Sequence, residues 1–375
     1  MTAPHPKRDA YAEAGVDYGA IDPGKRLAQA AALSTASALS ARGLTEVRES
    51  RGESAYVVEL ADRYVSSVTE ALGTKNLIAD AVRPITGRSH YDTIAHDAVA
   101  TILNDLATVG GTPLSLTAYW GTGSSDWFKD EPRMRDLVDG WSKACARAGC
   151  SWGGGETQTI TGIIEPNAIN LAGSAVGLIQ PKGKLLLGSR VKPGDAMLIA
   201  PGTGLHANGA TLARKIAGEI EGGYRAPVPN DPKGRCFGEV LLDPTPLYGP
   251  LVEALQSAGV DLHYAVHVTG HGWRKLMRGT AELTYAVEHL PPVQPILEML
   301  RSRAKMSIAD AYGTFNMGAG FALYLPAAGV AQAILVARKA GFGLLEAGHV
   351  EAGRRCVEIR PLGITFEGAS LQIRS

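Results

Sequence analysis

The segment from Asp92 to Val109 constrains the fold more than any other part of this 375-residue chain. Its apolar residues recur at the spacing of a helix with a wide buried face: Ile94, Ala95, Ala98, Val99, Ile102, Leu103 and Leu106. Four polar residues form one stripe beside that face: Asp97, Thr101, Asn104 and Asp105. Gly110, Gly111 and Pro113 then end the predicted helix.

The polar stripe has two interpretations. No Lys or Arg lies between Asp92 and Pro113, so nothing along the helix neutralises its carboxylates. Two acids and an amide on one stripe favour a bound cation, and oxygen ligands suit Mg²⁺. In the other interpretation the stripe simply faces water, and this helix taken alone slightly favours that second interpretation.

Composition narrows the class of protein. Apolar residues make up 45% of the chain and charged residues 20%, which is typical of a globular protein. The formal net charge of +0 gives no indication of nucleic acid or of an acidic membrane as a partner. No stretch approaches the roughly 20 apolar residues of a membrane span, and the first residues lack the apolar core of a signal peptide. Four scattered cysteines predict reduced, buried thiols and a cytoplasmic location.

Helical and extended patterns alternate along the chain without a strict repeat. Strands are predicted at residues 55–60, 64–68, 114–120, 167–179, 196–200, 263–267, 320–325 and 356–359. Helices are predicted at residues 27–42, 92–109, 133–148, 210–220, 246–258, 294–303 and 327–340. This interleaving favours a mixed-sheet α/β or α+β fold over a barrel. The Pro-, Gly- and Lys-rich stretch 180–195 predicts a boundary between a domain of residues 1–183 and a domain of residues 184–375.

Two glycine-containing loops in the first half have the composition of a phosphate and metal site. Glu70, Gly73, Thr74 and Lys75 follow a predicted strand and supply a carboxylate, backbone N–H groups, a hydroxyl and a cation. The spacing is not that of a Walker A loop, and an ordinary surface loop is the alternative. In the segment 153–157, glycines including Gly155 allow a close backbone approach and Glu156 can reach a metal. The alternative there is a tight turn with a solvated Glu.

Two further loops in the second half have features of an anion site. Gly202 to Gly209 runs into a predicted helix, and His206 and Asn208 add side-chain donors, which fits a phosphate monoester. Equally, Asn208 can be a helix N-cap beside a structural His206.

The segment His267 to Gly272, with Thr269 and Gly270, also follows a predicted strand and can meet the Gly202 to Gly209 loop on one phosphate. The spacing of His267 and His271 is compatible with zinc, but no third ligand cluster is apparent and we discount a metal there. Phe315 and Met317, within the segment 312–320, are predicted to pack on the core.

In this order the motifs resemble the phosphoribosylformylglycinamidine cyclo-ligase family, also called AIR synthetase. The first group comprises Tyr11-Ala12-Glu13-Ala14-Gly15-Val16-Asp17, Gly73-Thr74-Lys75, Asp92-Thr93-Ile94, Asp97, Asn104-Asp105-Leu106 and Gly154-Gly155-Glu156-Thr157. The second group comprises Gly204-x-His206-x-Asn208-Gly209, Pro244-Thr245, His267-x-Thr269-Gly270-x-Gly272 and Thr314-Phe315-Asn316-x-Gly318-x-Gly320. The resemblance covers essentially the whole chain, and the combination is specific to the family.

The resemblance implies a two-domain AIR-synthetase-like fold of α/β and α+β type. Its N-terminal mixed sheet with helices would bind ATP and Mg²⁺ and form a homodimer, and its C-terminal α+β domain would bind the substrate phosphate. The implied reaction is the ATP-dependent ring closure of formylglycinamidine ribonucleotide to aminoimidazole ribonucleotide in purine biosynthesis. The implied partner is therefore a small ribonucleotide, not nucleic acid or a membrane.

The resemblance also implies roles for individual residues. Glu70, Asp97, Asp105 and Glu156 would hold Mg²⁺. Gly73, Thr74, Lys75, Asn104 and Gly155 would bind ATP together with Glu70, Asp105 and Glu156. The ribose phosphate of the substrate would be bound by His206, Asn208, Gly209, Thr269 and Gly270. Lys75, Asp97 and His267 would be catalytic, with His267 a donor or acceptor of protons or else a structural residue.

Several positions depart from the family pattern and indicate a divergent branch. Glu70 stands for an Asp, residues 51–56 replace a Gly-rich segment, and His271 replaces a Gly. Further departures are Thr159 for a Glu and Gly313 and Pro246 for two Arg residues. Two alternatives therefore stay open: a paralogous ATP-dependent enzyme that acts on another amide or phosphate substrate, and a nucleotide-binding relative without catalysis.

Overall fold

A computed structural model describes residues 13–15 and 17–371 of the chain. Tyr11, Ala12 and Val16 of the N-terminal family motif lie outside the described residues. The described first half contains the helices α1 (Tyr18–Leu33), α2 (Ser37–Ser40), α3 (Asn76–Thr86), α4 (Tyr91–Ala107) and α5 (Glu131–Arg147). Its strands are β1 (Thr45–Glu46), β2 (Tyr56–Glu59), β3 (Tyr64–Ala71), β4 (Thr112–Thr122), β5 (Ser151–Thr159) and β6 (Ile169–Ile179).

The strands of the first half form one mixed sheet in the order β1-β2-β3-β6-β4-β5. Strands β4 and β5 are parallel and the other neighbours are antiparallel. Helix α4 lies between this sheet and α5, with contacts to β3, β4 and β6 on one side. Because α4 is covered on all sides, every residue from Ile94 to Ala107 is buried.

The second half forms a separate sheet. Its strands are β7 (Asp195–Pro201), β8 (Tyr264–His267), β9 (Leu283–Val287), β10 (Ala319–Pro326), β11 (Leu345–Ala352), β12 (Cys356–Ile359) and β13 (Ile364–Glu367). The order is β13-β12-β9-β11-β7-β10-β8, with β9 and β12 parallel and the other neighbours antiparallel. The helices are α6 (Ala210–Glu219), α7 (Phe237–Leu241), α8 (Gly249–Ser257), α9 (Pro295–Arg303), α10 (Ile308–Tyr312) and α11 (Val330–Lys339). Two mixed sheets with helices confirm the predicted α/β and α+β fold class.

The connection between the two sheets lies in the Pro-, Gly- and Lys-rich stretch. It contains a cis peptide bond between Gln180 and Pro181 and two short 3₁₀ turns. The proposed domain boundary after residue 183 lies between β6 and β7, and it stays a prediction.

The largest local difference from the predictions is in the segment 153–157, which is part of strand β5 and not a tight turn. Strand β5 pairs in parallel with β4, and the register shifts between Leu116 and Ala118. Gly155 lies opposite Ala118, where a Cβ atom would come within 1.9 Å of the Ala118 carbonyl oxygen. The glycine at position 155 is therefore required by strand packing alone.

Other predictions about local structure have mixed outcomes. The helix predicted at residues 27–42 is divided between α1 and α2, and α3 and β9 were not predicted. Phe315 and Met317 are buried, as predicted. Cys145, Cys150 and Cys356 are buried, and all four cysteines are free. Within residues 13–15 and 17–371, no helix has the length and apolar content needed to cross a membrane.

Candidate active site

The polar stripe of α4 is buried, so the interpretation that it faces water is wrong. Asp97 and Asn104 have 0% exposure, and Thr101 and Asp105 have 8% and 7%. A buried carboxylate needs a counter-charge or several hydrogen-bond donors. The structure supplies both, from residues far away in the sequence.

Lys75 neutralises Asp97. The ammonium group of Lys75 donates to the Asp97 carboxylate, and both side chains are completely buried. Lys75 also donates to the backbone carbonyl of Asp243 at 3.0 Å, and the second oxygen of Asp97 accepts from the Thr245 N–H at 2.7 Å. Both oxygens of Asp97 are thus occupied by protein donors. The cation expected beside the stripe is, at this position, a lysine.

The stripe also holds the segment 243–248, which comes from the second half of the chain. The Asn104 side chain donates to the Pro246 carbonyl at 2.8 Å and accepts from the Tyr248 N–H at 2.7 Å. His96 lies next to Asp97 on α4 and donates from Nε2 to the Thr245 carbonyl at 2.7 Å. The stripe therefore binds main-chain atoms of the segment 243–248 and joins the two halves of the molecule.

Asp105 makes the second link across the halves. Its carboxylate accepts from Nδ1 of His267 at 2.7 Å, at the end of β8. Burial alone would raise the pKa of Asp105, but the hydrogen bond and charge of His267 outweigh burial and lower that pKa. Within the described part of the chain, Nε2 of His267 has no hydrogen-bond partner.

A cavity of about 350 Å³ lies at the junction of the two halves. Most of the predicted loop residues line it: Glu70, Gly73, Thr74, Asp105, Asn208, Gly209 and Thr269. The hydroxyls of Thr74 and Thr211 are 3.0 Å apart and tie the Gly73 loop to the start of α6. The loops that the sequence analysis treated as weak signals one by one therefore meet around a single space.

The N-terminus of α6 forms one wall of this cavity. Gly209 precedes the helix at φ 102°, in the left-handed region that favours glycine, and no side chain caps the first turn. The expected N-cap role of Asn208 is thus absent, and Asn208 lines the cavity instead. Uncapped N–H groups and the helix dipole make this wall favourable for a phosphate.

Glu70 and Asp105 line the same cavity and repel each other. Burial raises the pKa of Glu70, and the negative charge of Asp105 raises it further. Two carboxylates facing one space fit a divalent cation with oxygen ligands, such as Mg²⁺. Among the described residues, no group of three or more His, Cys, Asp or Glu side chains is arranged to hold a metal ion. The protein therefore offers two carboxylates, and other ligands would come from phosphate or water.

The other two predicted metal ligands lie elsewhere. Asp97 is held by Lys75 and the Thr245 N–H, as described above, and does not line the cavity. Glu156 is exposed on β5, at the edge of the N-terminal sheet. The carboxylates of Asp97 and Glu156 therefore do not join Glu70 and Asp105 within this chain.

His206 lies beneath the cavity wall. It is buried, and its Nε2 accepts from the Thr203 N–H at 3.1 Å. Burial, followed by the nearby His267 and Lys75, lowers the pKa of His206 well below its ordinary value. A neutral His206 supports the loop from inside, while Asn208 and Gly209 face the cavity.

A second cavity of about 290 Å³ adjoins the first and shares Glu70, Asp105, Asn208 and Thr269 with it. Its other walls come from α1, the segment 52–54 and the segment 270–278: Lys25, Gln29, Gly52, Glu53, Ser54, Gly270, His271, Lys275 and Arg278. Sequence reasoning missed Lys25, Lys275 and Arg278. The available signal was the run of basic residues at 274, 275 and 278 directly after the His267 motif.

His271 links this second cavity to the N-terminal helix. Its Nε2 lies 3.1 Å from the Asp22 carboxylate. Burial, followed by the positive charge of Lys275, lowers the pKa of His271 to about 4. Two positions that depart from the family pattern, the segment 51–56 and His271, thus lie around one space.

Comparison with known proteins covers both halves. Residues 52–179 match the family described as AIR synthase related protein, N-terminal domain, and residues 192–359 match the corresponding C-terminal domain. The phosphoribosylformylglycinamidine cyclo-ligase of Rippkaea orientalis is 34% identical over 292 residues, which is 77% of this chain and 81% of that protein. The cyclo-ligase of Thermococcus kodakarensis is 31% identical over 84% of this chain and 88% of that protein.

Solved structures share the fold at lower identity. Hydrogenase maturation protein HypE in complex with ATP has a TM-score of 0.55 and 20% identity, covering 73% of this chain and 78% of that protein. Thiamine-monophosphate kinase from Stenotrophomonas maltophilia has a TM-score of 0.55 and 19% identity, covering 80% of this chain and 87% of that protein. These two likenesses concern the fold alone.

The buried pair of Lys75 and Asp97 gives a first prediction. Lys75→Met leaves an unpaired buried carboxylate and should lower the free energy of unfolding by about 3–5 kcal/mol. Combining it with Asp97→Asn should cost less than the sum of the two single variants, because the second change removes the unpaired charge. Denaturant unfolding of the wild type, the two single variants and the double variant measures these free energies. Lys182→Met, in the half-exposed pair with Glu59, is the control and should cost less than about 1 kcal/mol. Additivity within about 0.5 kcal/mol would contradict the pairing.

The lowered pKa of His271 gives a second prediction. Between pH 6.5 and about 4 the unfolded chain gains a proton at His271 and the folded chain does not, so stability falls as the pH falls through this window. His271→Asn, which tolerates the φ of 69°, should reduce this loss by up to about 1.4 kcal/mol for each pH unit. Urea unfolding at several pH values measures it. If the free energy of unfolding changed with pH by the same amount in the variant and the wild type, the prediction would be wrong.

Proposed function

The chain belongs to the AIR synthase related protein family, and from this premise we propose that it is a phosphoribosylformylglycinamidine cyclo-ligase. It would close the imidazole ring of aminoimidazole ribonucleotide from formylglycinamidine ribonucleotide, with conversion of ATP to ADP and phosphate. The observation that carries the proposal is the match to cyclo-ligases at 31–36% identity over 69–84% of the chain. The joint cavity, lined by loops from both halves, supports it.

The reaction asks for positioning and charge neutralisation more than for a protein nucleophile. The formyl amide oxygen would attack the terminal phosphorus of ATP, and ADP would leave. An amidine nitrogen would then attack the activated carbon and expel phosphate, with loss of a proton. Mg²⁺, when bound, neutralises charge on the phosphate oxygens. Glu70 and Asp105 fit it because their like charges face one cavity.

The phosphate groups of the two ligands would use different walls. Gly73 and Thr74 would donate to ATP phosphates from the loop after β3. The ribose phosphate would lie against the first turn of α6, with Asn208, Gly209, Thr269 and Gly270 around it. His206 supports that wall from below, as its burial indicates.

The three residues that were expected to be catalytic are Lys75, Asp97 and His267. Each would hold other groups of the site in place and would not touch the substrate. Lys75 and Asp97 are sealed under the cavity, so they would hold the loop after β3 and the segment 243–248 in place. Asn104, which was expected to bind ATP, would also hold this segment, through the Pro246 carbonyl and the Tyr248 N–H. His267 would fix the orientation of the Asp105 carboxylate.

We further propose a homodimer in the cytoplasm. The face of the N-terminal sheet opposite α4 exposes apolar side chains, with Leu114 at 46% and Val176 at 39% exposure. A second copy on this face would bury them and would place the exposed β5, with Gly155 and Glu156, near the interface. Four free cysteines agree with a reducing compartment.

A direct assay tests the proposed reaction. Purified protein is mixed with Mg-ATP and formylglycinamidine ribonucleotide, and aminoimidazole ribonucleotide and ADP are measured. The expected result is equal formation of both products. Binding of ATP without formation of aminoimidazole ribonucleotide would refute the cyclo-ligase activity and favour a paralogous reaction.

Glu70 provides a third prediction. Glu70→Gln removes the repulsion with Asp105, so the melting temperature should not fall, while turnover should drop by about 100-fold or more because a metal ligand is lost. Calorimetry and a steady-state assay over a range of Mg²⁺ concentrations measure both effects. Glu253→Gln, at an exposed position of α8, is the control and should match the wild type. Unchanged turnover in Glu70→Gln would remove Glu70 from the site.

A further inference from the structure

The second cavity is closed by contacts between segments that are far apart in sequence. Arg278 donates from Nε to the Gly52 carbonyl at 3.0 Å and from Nη1 to the Ser54 hydroxyl at 2.9 Å. Glu53 accepts from the Tyr264 hydroxyl at 2.7 Å. On the other side, His271 meets Asp22 of α1, as described above. These contacts close the cavity on two sides.

The basic side chains of this cavity differ in which protein groups they pair with. Arg278 lies 3.7 Å from Glu53, which balances its charge, and two of its nitrogens donate to the segment 52–54. Lys25 is 55% exposed and lies 3.9 Å from Asp22. Both of these cations therefore have a structural partner within the described residues.

Lys275 has no such balance. Its ammonium group donates to the Thr269 hydroxyl, and across the described residues no carboxylate lies within ion-pair distance of it. Lys275 is only partly exposed, and a partly buried cation without a direct ion pair costs stability when the attraction of more distant carboxylates does not offset its burial. Burial, followed by the charge of Arg278, lowers the pKa of Lys275 to about 8. The side chain is therefore charged at neutral pH, and it makes no direct ion pair with any described residue.

The surroundings of Lys275 indicate the missing anion. Thr269 and Asn208 line both cavities, and the first turn of α6, which follows Asn208, lines the first cavity. An ammonium, a hydroxyl, an amide and the first backbone N–H groups of α6, around two adjoining cavities, are donors suited to a phosphate group. Glu70 and Asp105 line the same cavity, and their negative charges partly oppose the lowering of the Lys275 pKa, but among the described residues neither forms a direct ion pair with Lys275.

We propose that Lys275 is a phosphate-binding residue that contacts a phosphate group held between Thr269 and the N-terminus of α6. The identity of that phosphate rests on the proposed function. It is the phosphomonoester of the ribonucleotide substrate or the terminal phosphate of ATP. Lys275 then determines affinity for one of these ligands, and Arg278 is a positioning residue that keeps the wall of the cavity in place.

Equilibrium binding of three probes tests this: inorganic phosphate, formylglycinamidine ribonucleotide, and a non-hydrolysable ATP analogue with Mg²⁺. Titration calorimetry is run on the wild type, Lys275→Gln, Lys275→Met and the control Lys339→Gln, which changes an exposed lysine on α11. Loss of one charge-assisted hydrogen bond should weaken binding about tenfold or more. Weakening of the ribonucleotide alone assigns Lys275 to the phosphomonoester, and weakening of the ATP analogue alone assigns it to the nucleotide. The control should bind all three probes as the wild type does.

The melting temperature without ligand separates binding from a structural role. Burial and the charge of Arg278 outweigh the attraction of Asp105 and Glu70 for Lys275, so removing this charge should leave the melting temperature unchanged or raise it in both Lys275 variants. A clear fall in both variants, or failure of both to fold, would show that Lys275 is a structural counter-ion and would overturn the proposal. Affinities within twofold of the wild type for every probe would overturn it as well.

The same experiment separates this inference from the proposed function. Wild-type protein that binds phosphate through Lys275 but forms no aminoimidazole ribonucleotide would refute the cyclo-ligase activity and leave the phosphate site standing. Turnover by the wild type together with unaltered binding in both Lys275 variants would support the activity and refute the site.

Discussion

The buried ion pair between Lys75 and Asp97 fixes the floor of the cleft, because each partner also binds the main chain of the segment 243–248. A lone carboxylate or a lone ammonium at this depth would be strongly unfavourable. With Asp97 ionised, helix α4 therefore depends on Lys75 to pack stably between the sheet and α5. That requirement positions the loop after β3, from which Gly73 and Thr74 face the cavity.

Acidic residues on the same helix have different tasks because they have different partners. Asp97 is saturated by protein donors and is closed to solvent. Asp105, two turns further along α4, has one oxygen held by His267 and lines both cavities. The second half of the chain brings different neighbours to each turn of the helix. Asp97 is therefore enclosed by protein donors, while Asp105 faces the cavities.

Much of this arrangement could be predicted from the sequence, and the rest depended on distant contacts. The periodicity of residues 92–109 predicted α4, and the loop motifs around Gly73, Asn208 and Thr269 were correctly selected as neighbours of one space. The partner of Asp97 was not predictable, since Lys75 lies 22 residues away and reaches the helix only after folding. Strand β5 was missed because its glycines resemble a turn, whereas the Ala118 carbonyl excludes any side chain at position 155. Lys275 belongs to no motif, and its importance follows from its place beside Thr269 in the second cavity without a direct ion pair among the described residues.

The way in which α4 holds the segment 243–248 affects which substitutions the chain can tolerate. Asp97, Asn104 and His96 bind peptide N–H and carbonyl groups of that segment and none of its side chains. These contacts therefore restrict the residue types of the helix, while they place no requirement on the side chains of the segment itself. Pro246, at a position where the family resemblance leads us to expect an arginine, still accepts from the Asn104 side chain through its carbonyl. Substitutions in this connection between α7 and α8 can therefore change its side chains and keep the hydrogen bonds that join the two halves.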